Sequence, residues 1–133
     1  MMGVSSRIPR ALPVGSKVNT CDNSGAKVLR VISVKNLKTT KGRPQSARIG
    51  DMITASVIKG RPDMRKQVVN AIIVRQKKEF RRPNGMHVKF ESNAAVVLKD
   101  DKGNPKGSMI KSAIAKEITK RWPQIPKIAS IIV

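Results

Sequence analysis

The sequence predicts a mainly β protein: a small closed barrel of about five strands, with a long β-hairpin and a short helical C-terminal segment. Three observations predict this fold. Short apolar runs, several with a period of two, are bounded by glycine, proline and asparagine, a pattern typical of strands and turns. The middle of the second run is apolar on both faces, as expected for a strand in a closed sheet. A helical period appears only near the C-terminus.

The first three strands are predicted in the N-terminal half of the chain. Lys17 to Cys21 (KVNTC) reads as the first strand and Lys27 to Lys35 (KVLRVISVK) as the second. A basic loop, Asn36 to Ile49, separates them from the third strand, Asp51 to Lys59 (DMITASVIK). Arg61-Pro62-Asp63 then opens a turn or a single helical coil.

A long hairpin is predicted next. Val68 to Lys78 and His87 to Lys99 form its arms, which are apolar at their far ends and cationic near the turn. In the turn Pro83-Asn84-Gly85, proline supplies a φ near −65° and glycine a positive φ. The tip should therefore be held rigidly. A rigid tip rich in cations indicates a negatively charged partner.

The C-terminal segment has a helical period. After a turn at Asp100 to Gly107, Ser112 is predicted to cap a helix that runs to Trp122. Ile114 and Ile118 lie on the same side as Trp122, so this apolar stripe should seal the sheet.

The chain shows no internal repeat, low-complexity tract or long linker. We therefore expect a single domain, residues 1–133, with an N-terminal arm (1–14), the barrel and hairpin (15–107) and the helical C-terminal segment (108–133). The last segment has room for a second helical turn around 125–130.

The charge balance predicts a polyanionic partner. Lys and Arg number 28 against 8 Asp and Glu, giving a formal net charge of +20 and a pI near 11.3. This excess is far beyond what solubility requires and favours nucleic acid. A membrane partner is not favoured, because no apolar run approaches the roughly 20 residues of a spanning helix and the first 15 residues contain no signal-peptide core. We expect a cytoplasmic protein.

No motif for catalysis or cofactor binding is found. Cys21 is the only cysteine, and the sequence favours a small, half-buried apolar role for it. His87 is the only histidine and is predicted to lie on the surface or in a strand. The eight acidic residues are scattered without metal-ligand spacing, and neither GxGxxG nor GxxxxGK[ST] occurs. We therefore predict no catalytic residue, no metal and no cofactor.

The kind of nucleic acid follows from the scarcity of aromatic residues. Two phenylalanines, one tryptophan and no tyrosine leave no platform on which unpaired bases could stack. The predicted target is thus the phosphate backbone of a folded RNA. The predicted RNA-binding residues are the cations of loops and hairpin: Lys27, Lys35, Lys38, Lys41, Arg43, Arg48, Arg61, Arg65, Lys66, Arg75, Lys77, Lys78, Arg81, Arg82 and Lys89. A free-standing DNA-compacting protein and an RNA-processing enzyme are the alternative function classes.

A long spaced pattern in the hairpin resembles the signature of a known family. Its elements are Ala71, Ile72-Ile73-Val74, Asn84-Gly85, Phe90, Asn93 and Val96-Val97. This pattern resembles the fourteenth protein of the large ribosomal subunit, the universal L-fourteen family. The resemblance extends to Cys21-Asp22-Asn23-Ser24-Gly25-Ala26 and to Gly50-Asp51, and so covers the chain from about Gly15 onward.

The resemblance implies a location in the ribosome. It implies a five-stranded barrel bound to large-subunit ribosomal RNA, next to other large-subunit proteins, with one face toward small-subunit RNA at an intersubunit bridge. It also implies a C-terminal docking surface for factors that keep the subunits apart. Carried over by position, the intersubunit or factor surface comprises Gly107, Ser108, Met109, Lys116 and Lys120.

Three features differ from the shorter bacterial members. The N-terminal arm is longer, and the turn Gly60 to Gln67 resembles the archaeal and eukaryotic branch. Lys111 stands where many bacterial members have an apolar or aromatic residue. The partner contacts of bacterial members are therefore not carried over at these positions.

Overall fold

The computed structural model describes residues 8–35, 37 and 39–133. Lys38 and the first seven residues of the arm lie outside the described residues. The described strands are β1 (Leu12–Pro13), β2 (Lys17–Thr20), β3 (Ala26–Val34), β4 (Ser46–Ala47), β5 (Met52–Gly60), β6 (Val68–Arg75), β7 (Phe80–Arg81), β8 (His87–Val88), β9 (Ala94–Leu98), β10 (Ile110–Ile114) and β11 (Ala129–Ile132). They are accompanied by the helix α1 (Ile118–Arg121) and a 3₁₀ helix (Pro126–Ile128).

Five of these strands form a closed barrel in the order β2-β3-β5-β6-β9. Neighbouring strands are antiparallel except at the closure, where β2 and β9 run parallel with Asn19 opposite Ala94. Closure leaves the barrel without a free edge. The predicted fold class is confirmed, and the three N-terminal strands lie within one residue of their predicted limits.

Burial along the strands explains their sequences. In β3 the buried Leu29 and Val31 alternate with the exposed Arg30 and Ile32, the pattern of a strand with one face in the core. All five residues of β9 are buried. This strand therefore has no solvated face, because the C-terminal segment contributes Ile110, Ile114, Ile118 and Ile125 to the same apolar core.

The N-terminal arm is attached to the barrel by apolar and polar contacts. β1 pairs antiparallel with β4, and Ile8 and Leu12 are both buried in the core. The fully buried side chain of Gln76 accepts a hydrogen bond from the Ile49 amide and donates one to the Pro9 carbonyl. The described part of the arm, from Ile8, is thus fixed against the barrel.

The predicted helix from Ser112 to Trp122 is wrong over its first half. Ile110–Ile114 is a strand, which pairs in parallel with Ala129–Ile132. The helix α1 spans only Ile118–Arg121, and no side chain caps its N-terminus. The apolar stripe is nevertheless buried as predicted, and the 3₁₀ helix lies within the predicted second helical turn.

The hairpin arms are interrupted between the barrel and the tip. β6 and β9 pair in the barrel, whereas β7 and β8 form a separate two-stranded ladder with Phe80 opposite Val88. Between the two ladders, the Asn93 carboxamide oxygen accepts a hydrogen bond from the Lys77 amide at 2.8 Å. This contact and the hydrogen bond from the Phe90 amide to the Gln76 carbonyl at 3.2 Å keep the tip connected to the barrel.

The tip has the turn that its sequence predicts. Gly85 has a φ of +88°, its amide donates to the Arg82 carbonyl at 2.9 Å, and the Asn84 side chain accepts from the Met86 amide. No atom lies within 4 Å of the position that a β-carbon at Gly85 would occupy. Glycine is therefore required here by the backbone conformation and not by crowding.

Replacing Gly85 with valine is expected to cost about 1–3 kcal/mol of unfolding free energy, because a β-branched residue is forced into positive φ. Thermal unfolding followed by circular dichroism measures this loss. Met86→Val is the matched control at the adjacent, exposed position, where we expect a change within about 0.5 kcal/mol. Equal destabilisation by the two variants would contradict the role of positive φ.

Candidate nucleic-acid interface

Most of the predicted RNA-binding cations are exposed and lie on turns or strand ends. The exposed members are Lys27, Lys35, Lys41, Arg43, Arg61, Arg65, Lys66, Lys77, Lys78, Arg81 and Lys89. Arg48 and Arg75 are partly buried. Turns fixed by hydrogen bonds hold many of these side chains, so the charge is presented by a defined surface.

Arg82 differs from the other predicted cations, because it is buried. Its side chain is 8% exposed and forms an ion pair with Glu117, with Nε at 2.6 Å from Oε1. A second guanidinium nitrogen donates to the Val133 carbonyl at 2.7 Å. Arg82 was predicted with the RNA-binding cations of the hairpin, but its side chain is buried and connects the hairpin to the C-terminal segment.

Two predicted cations, Lys77 and Lys89, meet at the base of the tip. They line one groove of about 410 Å³ together with Phe90 and Glu91. Phe90 is partly buried and packs against the core. The ladder β7–β8 thus brings cations separated by 12 positions in the sequence to one place.

The turn after β5 presents three more predicted cations: Arg61, Arg65 and Lys66. The turn is closed by hydrogen bonds from the Met64 and Arg65 amides to the Arg61 carbonyl. Met64 is buried beneath it. Arg61 in turn donates from its side chain to the Ser24 carbonyl at 3.2 Å, which joins this turn to the one at residues 22–25.

Residues 107–109 are held by Asn23, a contact that sequence reasoning missed. The Asn23 side-chain oxygen accepts hydrogen bonds from the Ser108 amide at 2.8 Å and the Met109 amide at 3.3 Å. Its nitrogen donates to the Ser108 hydroxyl at 2.7 Å. A β-carbon on Gly107 would come within 2.6 Å of the Asn23 oxygen, so glycine permits this close approach.

The adjacent residue, Asp22, is buried and fixes the turn that carries Asn23. Its carboxylate accepts from the Val97 amide at 3.0 Å and from the Ser24 hydroxyl at 2.9 Å. Burial raises the pKa of Asp22, although these hydrogen bonds oppose the shift. Burial likewise raises the pKa of the Cys21 thiol to about 11, which keeps it protonated and unreactive near neutral pH. Cys21 is more buried than its sequence predicted.

Exchange of Asn23 for alanine is expected to release residues 107–109 while the barrel persists, because only the side-chain acceptor and donor are lost. Backbone hydrogen exchange should accelerate at Ser108 and Met109 by about fivefold, corresponding to one lost hydrogen bond of about 1 kcal/mol at each amide. The control is Asn19→Ala, at an exposed position on β2. Unchanged protection at both amides would show that Asn23 does not hold this loop.

A second buried carboxylate, Asp51, joins three segments of the chain. One oxygen accepts from the Arg10 guanidinium at 3.2 Å and from the Arg48 amide at 3.1 Å, and the other lies 3.4 Å from the Arg121 guanidinium. Burial lowers the pKa of Arg48, with the charges of Arg10 and Arg121 adding to the effect and Asp51 opposing it. Arginines from the arm, the β4–β5 connection and α1 thus share one acid.

The residues carried over as an intersubunit or factor surface are mostly exposed. Ser108, Met109, Lys116 and Lys120 are exposed, and Gly107 is partly buried. Lys116 and Lys120 also line a groove of about 380 Å³ with the residues of the hairpin tip. The buried pair Arg82–Glu117 lies in the wall of this groove, so the tip and α1 are positioned together.

The remaining chemistry of the described residues is sparse. His87 is exposed, as predicted, and lies 3.5 Å from Glu79. Among residues 8–35, 37 and 39–133, no three His, Cys, Asp or Glu side chains are grouped so that they could hold a metal ion. The helices in the described part of the chain are too short to cross a membrane.

Comparison with known proteins agrees with this architecture. The profile of the family "Ribosomal protein L14p/L23e" matches residues 11–133. Proteins named "Large ribosomal subunit protein uL14" are 53% identical in Nanoarchaeum equitans and 52% identical in Methanothrix thermoacetophila, over all of both chains in each case. The protein of that name in Methanococcus vannielii is 51% identical over 99% of each chain. The chain therefore belongs to the L14p/L23e family of ribosomal proteins, in its archaeal type, and is a structural constituent of the large ribosomal subunit rather than an enzyme.

Proposed function

We propose that this protein binds the phosphate backbone of large-subunit ribosomal RNA through its exposed turn and hairpin cations. The observation that carries the proposal is the unequal burial of charge. Asp22 and Asp51 are buried, and the Glu117 side chain is 11% exposed. Three of the eight acids are thus used inside the fold, where Asp51 and Glu117 are paired with arginines, so only five acids remain to oppose the 11 exposed cations of the predicted set.

The placement of the aromatic residues supports contact with the backbone instead of stacking on bases. Phe80 and Trp122 are buried, and Phe90 is partly buried against the core. The Trp122 indole nitrogen is already bonded to the Gly50 carbonyl at 2.8 Å. Stacking platforms for unpaired bases need exposed rings, whereas phosphate contacts need only positioned cations.

We further propose that the surface of residues 107–109 with Lys116 and Lys120 faces the small subunit. The loop is held by Asn23 and yet leaves Met109 48% exposed, as a recognition surface requires. Exposed cations in α1 and just before it suit small-subunit RNA at a bridge. The same combination of an exposed methionine with lysines suits an acidic protein factor that prevents subunit association.

Contact with a neighbouring ribosomal protein is proposed for the C-terminal end. Ile131, Ile132 and Val133 are all about half exposed, with relative exposures of 54%, 45% and 47%. Three consecutive exposed apolar residues favour a protein neighbour over RNA, because RNA offers mainly charged phosphates to this kind of surface.

Competition between nucleic acids tests the proposal of RNA binding. The tagged protein is mixed with labelled, deproteinised large-subunit ribosomal RNA from Methanothrix thermoacetophila, and unlabelled RNA or duplex DNA is added at equal phosphate concentration. We expect the RNA to compete at least about tenfold better than the DNA. Equal competition would favour a free-standing, DNA-compacting protein. Sedimentation of a cell lysate then measures whether the tagged chain occurs with the large subunit.

A further inference from the structure

A groove on the side of the barrel lies between α1 and the turn after β9. Its volume is about 620 Å³, and its lining includes Lys35, Lys102, Arg121 and Gln124. Asp101 is the one acid in the lining. Of its cations, only Lys35 belongs to the predicted RNA-binding set. The groove therefore contains two further cations outside that set, Lys102 and Arg121.

Arg121 is oriented before any ligand arrives. Its guanidinium lies 3.4 Å from the buried Asp51 carboxylate and 5.5 Å from the centre of the Trp122 ring. The side chain is 15% exposed. Asp51 is shared with Arg10 at 3.2 Å, so one negative charge serves two guanidinium groups and leaves positive charge at the groove. An arginine fixed in this way loses little side-chain entropy when it binds an anion.

The two lysines are also held by their backbones. The Lys35 amide donates to the Met52 carbonyl at 2.9 Å. On the opposite side, the Asp100 carboxylate accepts from the Lys102 amide at 2.9 Å and from the Asn104 side chain at 2.8 Å. These hydrogen bonds lower the pKa of Asp100, which remains ionised and keeps the turn closed.

The two sides of the groove are packed against each other. Gly103 has a φ of +97°, and a β-carbon there would come within 2.6 Å of the Trp122 ring. Trp122 itself is fixed by its hydrogen bond to the Gly50 carbonyl. The distance between the turn that carries Lys102 and the helix that carries Arg121 is thus set by a rigid contact.

We infer that this groove is a binding site for the phosphodiester backbone of structured RNA, in which Arg121 is the fixed donor and Lys35 and Lys102 provide flanking positive charge. The inference rests on the proposed function and adds a defined location to it. The lining carries three cations and one acid, and its tryptophan is buried and cannot stack on a base. Phosphate, and not a nucleobase, is the group that this chemistry recognises.

The test compares two double charge reversals that change the net charge equally. Lys35→Glu with Lys102→Glu removes both groove lysines, and Lys17→Glu with Lys59→Glu is the control at exposed positions outside the groove. Affinity for the deproteinised Methanothrix thermoacetophila RNA is measured at several salt concentrations. We expect the groove variant to bind the RNA at least about tenfold more weakly than the control. Its slope of log affinity against log salt concentration should also be smaller by about two.

Thermal unfolding shows whether each variant is folded, so that a loss of RNA affinity can be assigned to the groove. All four lysines are exposed, so both variants should melt close to the unsubstituted protein. If the groove reversal unfolds, Lys35→Gln with Lys102→Gln replaces it, and we again expect the slope to fall by about two, because neutralisation alone removes both phosphate contacts. Inorganic phosphate added alone shows whether free phosphate also binds. We expect millimolar phosphate to raise the melting temperature of the control more than that of the groove variant.

The outcomes separate the two proposals. Equal affinities and slopes for the groove and control variants, with the unsubstituted protein retaining a steep slope, would overturn the groove while leaving RNA binding intact. A shallow slope for the unsubstituted protein as well would overturn the proposed function itself. Protection by phosphate without any difference in RNA affinity would identify a site for free phosphate and would also overturn the inference.

Discussion

Replacing Arg82 with glutamate is expected to lower the free energy of unfolding by about 3–5 kcal/mol, because it removes one partner of a buried ion pair and sets two carboxylates against each other. The side chains of Arg82 and Glu117 are 8% and 11% exposed, so water cannot compensate for the loss. The Val133 carbonyl loses its donor as well. Such a loss is a large part of the total stability of a small domain, about 5–15 kcal/mol.

The same substitution at Arg81 is the matched control. Arg81 is exposed on β7, opposite His87, and its change to glutamate should leave the melting temperature nearly unchanged. Thermal unfolding followed by circular dichroism should therefore show a melting temperature about 10–20 °C lower for Arg82→Glu, and no such change for Arg81→Glu. RNA affinity should fall for Arg81→Glu although its fold persists. Similar melting of the two variants would show that the Arg82–Glu117 pair does not support the hairpin.

A double substitution shows whether the loss arises from an unpaired charge. Exchange of Arg82 for methionine together with Glu117 for leucine removes both charges and fills the same space with apolar groups. Replacement of a buried ion pair by apolar residues is often neutral or stabilising. We therefore expect the double variant to recover most of the stability lost in Arg82→Glu. If it is as unstable as that variant, the geometry of the pair matters more than the balance of charge.

The difference between Arg81 and Arg82 could have been read from the sequence. In a strand, side chains alternate between two faces, and Phe80 is an obvious core residue. Arg82 therefore lies on the buried face and Arg81 on the exposed face, as the structure shows. What the sequence could not show is the partner, Glu117, which is 35 positions away and is brought close only by the tertiary fold.

The barrel strands were predictable because each is marked by a pattern within its own stretch of sequence. Short apolar runs and the glycine and proline residues that bound them predict the barrel strands without knowledge of their partners. The C-terminal segment lacks such information. Ile114 and Ile118 are four residues apart and fit one face of a helix, but pairing with Ala129–Ile132 makes residues 110–114 a strand. Non-local pairing overrides a local helical period here.

The parts of the candidate interface were predictable to different extents. Exposed lysines in turns follow from composition and turn signals, and 11 of the predicted cations are indeed exposed. Asn23, Asp51 and Arg121 were missed, because their roles depend on contacts across 41 to 85 positions. For Asp51, the sequence does offer one signal, the small number of acidic residues. With 8 Asp and Glu against 28 Lys and Arg, each carboxylate is expected to pair with a cation in the fold.

RNA binding by the intact protein is expected to weaken steeply as salt is added. Each phosphate neutralised by lysine or arginine releases a condensed counterion, so the logarithm of affinity falls linearly with the logarithm of salt concentration. The predicted set contains 11 exposed cations, of which Lys77 and Lys89 share one groove. Contact with on the order of 6–10 phosphates would reduce affinity by about 10³–10⁵ between 50 and 200 mM salt, by analogy with duplex DNA.

Filter binding of the deproteinised ribosomal RNA over this salt range measures the slope, and two variants assign it to the surface. Lys77→Gln with Lys89→Gln removes two neighbouring cations and should lower the slope by about two, while the control Lys17→Gln with Lys59→Gln changes it little. Neutral glutamine avoids the repulsion that a new acid would add, so the change in slope reflects lost contacts. A slope of only one or two ions for the unsubstituted protein would refute backbone binding, since turns held this rigidly would then present their charge only to solvent.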